Sequence, residues 1–260
     1  MVIFCNRDNT HGCVKVLYPS GKITWNVVFV FLDIGLRMAK MPGNGVDLNH
    51  YLNYAIRVAA ANPKAMVLAI VPDAWGDPVR NIRLAWEFLH LLKKRGKQVP
   101  RNLVFLIVVH GGLVDAYWVQ YKELYREYSE VVAVGFAVPC RKLDLGDKPV
   151  DCNRKPRVCA WSIYSFLSRV KQELGDVLVH LLGANKRELV LLASWGVFTW
   201  LSRIFFDSDA YREVPNDEIR RKCLGDGRFM IDENKCSPKM WAQAWLGELE
   251  KYVVIQNACD

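Results

Sequence analysis

The chain has no apolar run long enough to cross a bilayer, which takes about 20 consecutive apolar residues. It also lacks an N-terminal basic stretch followed by a long apolar core, so the sequence predicts no secretory signal, no membrane partner and an intracellular protein. None of its eight cysteines (Cys5, Cys13, Cys140, Cys152, Cys159, Cys223, Cys236 and Cys259) belongs to a CxxC pair. A disulfide framework is not expected in an intracellular chain of this size, so the cysteines read as buried thiols or loop residues. No linker, internal repeat or low-complexity segment interrupts the sequence, and a single domain over residues 1–260 is expected.

What the chain does have is a repeated pattern of apolar runs closed by polar residues. Residues 27–32 end in Asp33, residues 66–71 in Pro72-Asp73, residues 103–109 in His110-Gly111-Gly112, and residues 131–134 in Gly135. The stretch 176–211 repeats it twice: residues 177–182 are closed by Gly183, and residues 204–206 by Asp207-Ser208-Asp209. Continuous rather than alternating apolar runs suit strands buried on both faces, and strands separated by helices suit parallel βα units. At 260 residues and 52% hydrophobic composition, the pattern predicts a TIM-type (β/α)8 barrel. Six strands are clear, so either the other two come from a shortened or irregular N-terminal part or the barrel is incomplete. There, Val2 to Cys5 has strand character, and residues 14–17 and 22–25 flank Tyr18-Pro19-Ser20-Gly21 as a hairpin would.

Helices are expected from Asp47 as N-cap to Ala61, from Asp77 as cap with Pro78 at the first position to Lys94, and over 114–128, 161–174 and 186–195. Residues 137–158 read as a long loop, 212–238 as an irregular segment and 239–254 as a closing amphipathic helix. The net charge of +8 favours a polyanionic partner. Lys93, Lys94, Arg95, Lys97 and Arg101 fall between a helix and the next strand, at the barrel's far end, and read as a solvated face. Arg154, Lys155 and Arg157 lie in a loop after a strand, on the active side, and together with Arg220, Arg221 and Lys222 are the candidate nucleic-acid contacts.

The ends of different barrel strands converge on one cavity, so Asp33, Asp73 and Asp207 are candidates for joint chemistry. One carboxylate can attack an electrophilic carbon and a second can shuttle a proton; a third, with a histidine and glycine amides, can read a heterocycle.

Residues His180-Leu181-Leu182-Gly183, a helix, Gly196-Val197 and Phe206-Asp207-Ser208-Asp209-Ala210-Tyr211 resemble the HLLG…GVD-x-FDSxxY signature of tRNA-guanine transglycosylases, particularly the archaeal form. Leu32-Asp33-Ile34-Gly35 resembles the family's DSG motif, and Pro72-Asp73 falls where the family has a base-recognition aspartate. Val109-His110-Gly111-Gly112 resembles its VQGG-type loop and Val134-Gly135-Phe136-Ala137 its glycine-rich loop, in the family's order, over residues 27–211. The resemblance implies Asp207 as nucleophile on the ribose anomeric carbon and Asp33 as general acid/base. It implies Asp73, His110, Gly111, Gly112 and Gly135 around the leaving and incoming bases, with Leu182 against one base face. It implies no required cofactor, and extrusion of a paired base from its stack.

The sequence departs from the family in places. DIG stands for DSG at Asp33-Ile34-Gly35, and Gln256-Asn257 stands where His-Asn is expected. The family's four spaced zinc ligands are absent; a structural zinc would have only Cys223, Cys236 and Cys259. The tRNA-binding domains of the archaeal enzymes are missing. These losses resemble the DNA-guanine transglycosylase branch, which inserts 7-deazaguanines such as 7-cyano-7-deazaguanine into genomes, often viral ones. The alternatives are a compact tRNA-guanine transglycosylase, a non-catalytic nucleic-acid-binding partner subunit (with a homodimer or partner subunit as the assembly), or, outside the family, a barrel glycoside or nucleoside hydrolase.

Overall fold

The computed structural model describes residues 2–5, 13–34, 46–74, 77–110, 114–137, 143–144, 149–150, 156–184, 186–201 and 203–207. Its elements in chain order are β1 (Val2–Cys5), β2 (Cys13–Leu17), β3 (Phe29–Asp33), α1 (Leu48–Ala61), β4 (Met66–Ile70), α2 (Pro78–Arg95), β5 (Leu103–His110), α3 (Val114–Glu127) and β6 (Val132–Ala137). A two-residue hairpin follows, β7 (Leu143–Asp144) with β8 (Pro149–Val150), then α4 (Pro156–Leu174), β9 (Val179–Leu182), α5 (Lys186–Ser194) and β10 (Ile204–Asp207).

Eight strands form one sheet in the order β1-β10-β9-β6-β5-β4-β3-β2, and every pairing in it is parallel. The two edges, β1 and β2, meet: Cys5 and Cys13 are joined by a disulfide with their Cα atoms 4.8 Å apart, the spacing of adjacent strands. Carried round the sheet from Cys5 through Asp207, Leu182, Ala137 and His110, and on across β4 and β3, the register reaches β2 about eight residues beyond Cys13. That stagger is the shear an eight-stranded barrel requires, so the fold is the expected α/β barrel.

The strands read as unbroken apolar runs because both faces are covered, one by the barrel interior and one by helices. β3 carries Phe29 and Phe31 and β10 carries Phe205 and Phe206, of which Phe31, Phe205 and Phe206 are fully buried. Burying each such side chain contributes roughly 1.5–3 kcal/mol. The helices begin where the caps stand. The Asp47 carboxylate accepts from His50 N at 3.0 Å and that of Asp77 from Arg80 N at 2.9 Å, with Pro78 inside the first turn. Lys93, Lys94 and Arg95 lie at the carbonyl end of α2, where positive charge is favoured, and Gly96 takes a positive φ of 50° just beyond it.

Several expectations are corrected. The two further strands do come from the N-terminal region, but not as a hairpin: residues 22–25 form no strand, and β2 pairs in parallel with β3. The crossover over residues 18–28 contains no helix; the buried Asn62 amide pins it instead, accepting from Trp25 N at 2.8 Å and donating to Ile23 O at 2.7 Å. The disulfide contradicts the expectation of free thiols, because the barrel closure puts Cys5 beside Cys13; Cys159 is disulfide-bonded as well. β6 runs on to Ala137, so Val134-Gly135-Phe136-Ala137, which resembles a glycine-rich loop, is strand throughout. The helix expected from Trp161 begins at Pro156, which places Arg157 in its exposed first turn instead of a loop. The segment 212–238 and the closing helix lie outside the described residues. No described helix is long and apolar enough to cross a membrane.

Candidate active site

β2 reads Cys-Val-Lys-Val-Leu, apolar except for Lys15 at its centre, which is in register with Phe31 of β3. The side chains around it come from strands that are not neighbours. Phe31 of β3 stacks on His180 of β9 with centroids 4.1 Å apart, and Phe29 meets Phe205 of β10 at 5.0 Å. Only the barrel interior can bring β3 against β9 and β10, so these rings fill the barrel below its C-terminal mouth.

At the mouth, the Lys15 ammonium touches two carboxylates. Its Nζ lies 3.0 Å from Asp33 Oδ2 and in direct contact with Asp207 Oδ2. Sharing one ammonium holds the two carboxylates within roughly 5 Å of each other, the separation at which retaining glycosidases place nucleophile and acid/base. The other oxygen of Asp207 is held as well: Oδ1 lies 2.9 Å from His180 Nε2 and 3.4 Å from Gly183 N. Gly183 has a φ of 72°, a left-handed conformation that a side chain would oppose.

His180 is completely buried, and its Nδ1 finds no hydrogen-bond partner among the described residues. With Nε2 donating to the carboxylate, Nδ1 carries only a lone pair, which is less costly to bury unpaired than an N–H. Burial raises the Asp207 pKa, but the Lys15 charge and the His180 hydrogen bond outweigh it and hold the carboxyl well below the usual carboxylate range. Asp207 is therefore a rigid, ionised carboxylate. Asp33, with 17% of its side chain exposed against 4% for Asp207, is the more accessible of the two.

Tyr51 of α1 is fully buried, and its hydroxyl has no hydrogen-bond partner among the described residues. Burial, then the charge of Asp33 and more weakly that of Asp73, push its pKa well up, so it stays a neutral phenol. Asp73 is carried to the same rim by β4 and is half-buried. The segment bearing it is anchored by Asn81: Ala74 N donates to Asn81 Oδ1 at 3.3 Å, while Asn81 Nδ2 donates to Val108 O at 2.9 Å and to the Tyr121 hydroxyl at 2.8 Å. Burial, opposed by that amide and aided by Asp73, pushes the Tyr121 pKa up to about 12.

Of the residues expected at the site, Asp33 and Asp207 meet at the Lys15 ammonium. Leu182 ends β9 in register with Asp207 and Ala137, and Ala137 is in register with His110. The backbone of His110 thus shares the row of Asp207; its side chain, with Gly111 and Gly112, lies outside the described residues. Gly135 sits within β6, in register with Val108 and His180. A Cβ there would lie 3.0 Å from Val108 Cγ2 and 3.3 Å from Ile107 O, so its bareness serves close strand packing. Arg154, Lys155, Arg220, Arg221, Lys222, Cys223, Cys236 and Cys259 lie outside the described residues. Among the described residues, no group of three or more His, Cys, Asp or Glu could hold a metal ion.

Sequence reasoning missed Lys15, His180, Phe31 and Tyr51. The signal for two of them was present: Lys15 and His180 are each the lone polar residue inside an apolar strand, where an ionisable group is costly to bury unless it is partnered.

No protein-family model matches the chain, and no curated protein does. Among solved structures it is similar to an enolase from Pseudomonas fluorescens with bound magnesium, potassium and tartrate. The likeness has a TM-score of 0.35 and 9% identity, and it covers 73% of this chain and 41% of that one. The chain thus spans about two-fifths of the length of that enolase.

Proposed function

We propose that this chain is a glycosyl-transferring enzyme that exchanges guanine in DNA for a 7-deazaguanine base through a covalent Asp207–ribosyl intermediate. The observation that carries the reading is the meeting of two carboxylates from different strand tips, Asp33 and Asp207, at one ammonium in the barrel mouth. Oδ1 of Asp207 is tied to His180 and Gly183, which leaves Oδ2, the oxygen facing Lys15, to attack the anomeric carbon. The new C–O bond forms as the C–N glycosidic bond breaks, and the bonding pair leaves with guanine, whose nitrogen takes a proton from Asp33, which enters the step as the carboxylic acid after taking that proton from solvent on substrate binding. The incoming 7-deazaguanine gives its proton to Asp33 and attacks the same carbon, breaking the ester and restoring Asp207. The fixed negative charge stabilises positive character at the sugar carbon before any bond forms.

The test is incubation of purified protein with radiolabelled guanine and either duplex DNA or tRNA. Label should enter DNA, a covalent adduct should survive denaturing electrophoresis, and Asp207→Asn should abolish both while nucleic-acid affinity stays within a few-fold. Label entering tRNA alone would move the substrate to tRNA. Incorporation into neither polymer would leave the partner-subunit or hydrolase readings in its place.

A further inference from the structure

Lys15 belongs to none of the motifs that suggested the chemistry, yet its ammonium occupies the space that chemistry needs. It lies between Asp33 Oδ2 and Asp207 Oδ2, with 10% of its side chain exposed and its Nζ 5.8 Å from the centroid of Phe31. Three described groups hold the Asp207 carboxylate: Lys15 from β2, His180 from β9 and the Gly183 N–H beyond it. Oδ1 has two donors from rigid elements. Among the described residues, the partner of Oδ2 is an ammonium on a flexible stem of four carbons, which can swing away without moving a strand.

On the base-exchange reading, which this inference rests on, the position between the two carboxylates is where the sugar carbon acquires positive charge. We propose that Lys15 is a built-in placeholder for that charge: its ammonium offsets one of the two negative charges in the empty site and is displaced towards Asp33 by the incoming sugar. Two carboxylates this close repel each other when no cation lies between them, so an empty site without one would share a proton between them and lose the fixed charge of the nucleophile. Lys15 keeps Asp207 ionised and Oδ2 aimed until substrate arrives. Lys15 is thus a positioning residue, and the site it fills is selective for a cationic or electron-deficient sugar.

The test compares wild type with Lys15→Met and with the pair Lys15→Met/Asp33→Asn, each melted to establish folding. The pair retains the net charge of the wild-type cluster but leaves the position empty, so it separates occupancy from overall charge; it also carries the test if Lys15→Met does not fold. The probes are 1,4-dideoxy-1,4-iminoribitol, a protonated ribose mimic, and its uncharged counterpart 1,4-anhydroribitol, measured by titration calorimetry at neutral pH. Both variants should bind the iminoribitol at least about tenfold more tightly than wild type, the scale of a one-unit effect from an opposite charge within about 4–6 Å. Affinity for anhydroribitol, which gains only the vacated space and no charge, should rise by much less. Folded variants that gain nothing for the cation, or gain equally for the neutral sugar, would overturn the assignment. If the cation effect is found but wild type exchanges base in neither DNA nor tRNA, the base-exchange reading fails and Lys15 remains the occupant of a cation site.

Discussion

Replacing both Cys5 and Cys13 with alanine should cost this barrel a measurable part of its stability, and the size follows from where the cross-link lies. The two cysteines are separated by 8 in sequence, and both are fully buried. Closing so short a loop in the unfolded chain removes conformational entropy worth about 2.5 kcal/mol at 25 °C. Removing two buried sulfurs adds a packing loss on the order of 1 kcal/mol. For a domain of this size the sum corresponds to a fall in Tm of roughly 7–14 °C. The effect should reach the site: β1 lies between β10, which carries Asp207, and β2, which carries Lys15, and the disulfide ties β1 to β2 across the seam. Thermal unfolding under oxidising conditions, which leave the Cys159 bond intact, is the assay, with mass spectrometry of an unreduced digest to find the Cys5–Cys13 peptide pair. A double variant that melts within about 2 °C of wild type would refute the closure argument, as would free thiols at both positions in the native protein.

Two further outcomes follow from the same geometry. Because the Asp207 pKa is depressed in the folded state, its contribution to stability is fully present above the ordinary carboxylate pKa of about 4 and is lost as pH falls towards the folded value. Wild type should therefore lose stability more steeply than Asp207→Asn below about pH 4 in denaturant titrations, and parallel slopes would contradict the ion pairing. Asn81→Ala should leave Ala74 N, Val108 O and the Tyr121 hydroxyl without their partner and cost about 3 kcal/mol; a loss under about 1 kcal/mol by chemical denaturation would show that the Asp73 segment is anchored elsewhere.

The strands from β3 onward were legible because a parallel strand covered on both faces must be apolar throughout, and runs such as Met66–Ile70 and Leu103–His110 admit little else. Helix starts were legible for an equally local reason: Asp47 and Asp77 satisfy N–H groups three residues on, and Pro78 fits a first turn. The N-terminal strands were not. Tyr18-Pro19-Ser20-Gly21 carries the local chemistry of a hairpin turn, and nothing nearby reveals that Cys13–Leu17 pairs in parallel with β3 instead. The long segment after β6 hid the start of α4 because Pro156 is compatible with both a loop and a first helical turn.

The sequence by itself determined which residues must be buried, where the helices could begin, and that acidic residues would stand at the tips of strands; these depend on contacts a few residues apart. Only the tertiary structure decided the site. Lys15 and Asp207 are separated by 192 residues, and His180 and Asp207 by 27, and no local pattern links them. They meet because barrel closure brings the first strands against the last, the same closure that sets Cys5 beside Cys13. A charge inside an apolar strand is costly without a partner, so Lys15 signalled that a partner existed; only the closed barrel could supply it.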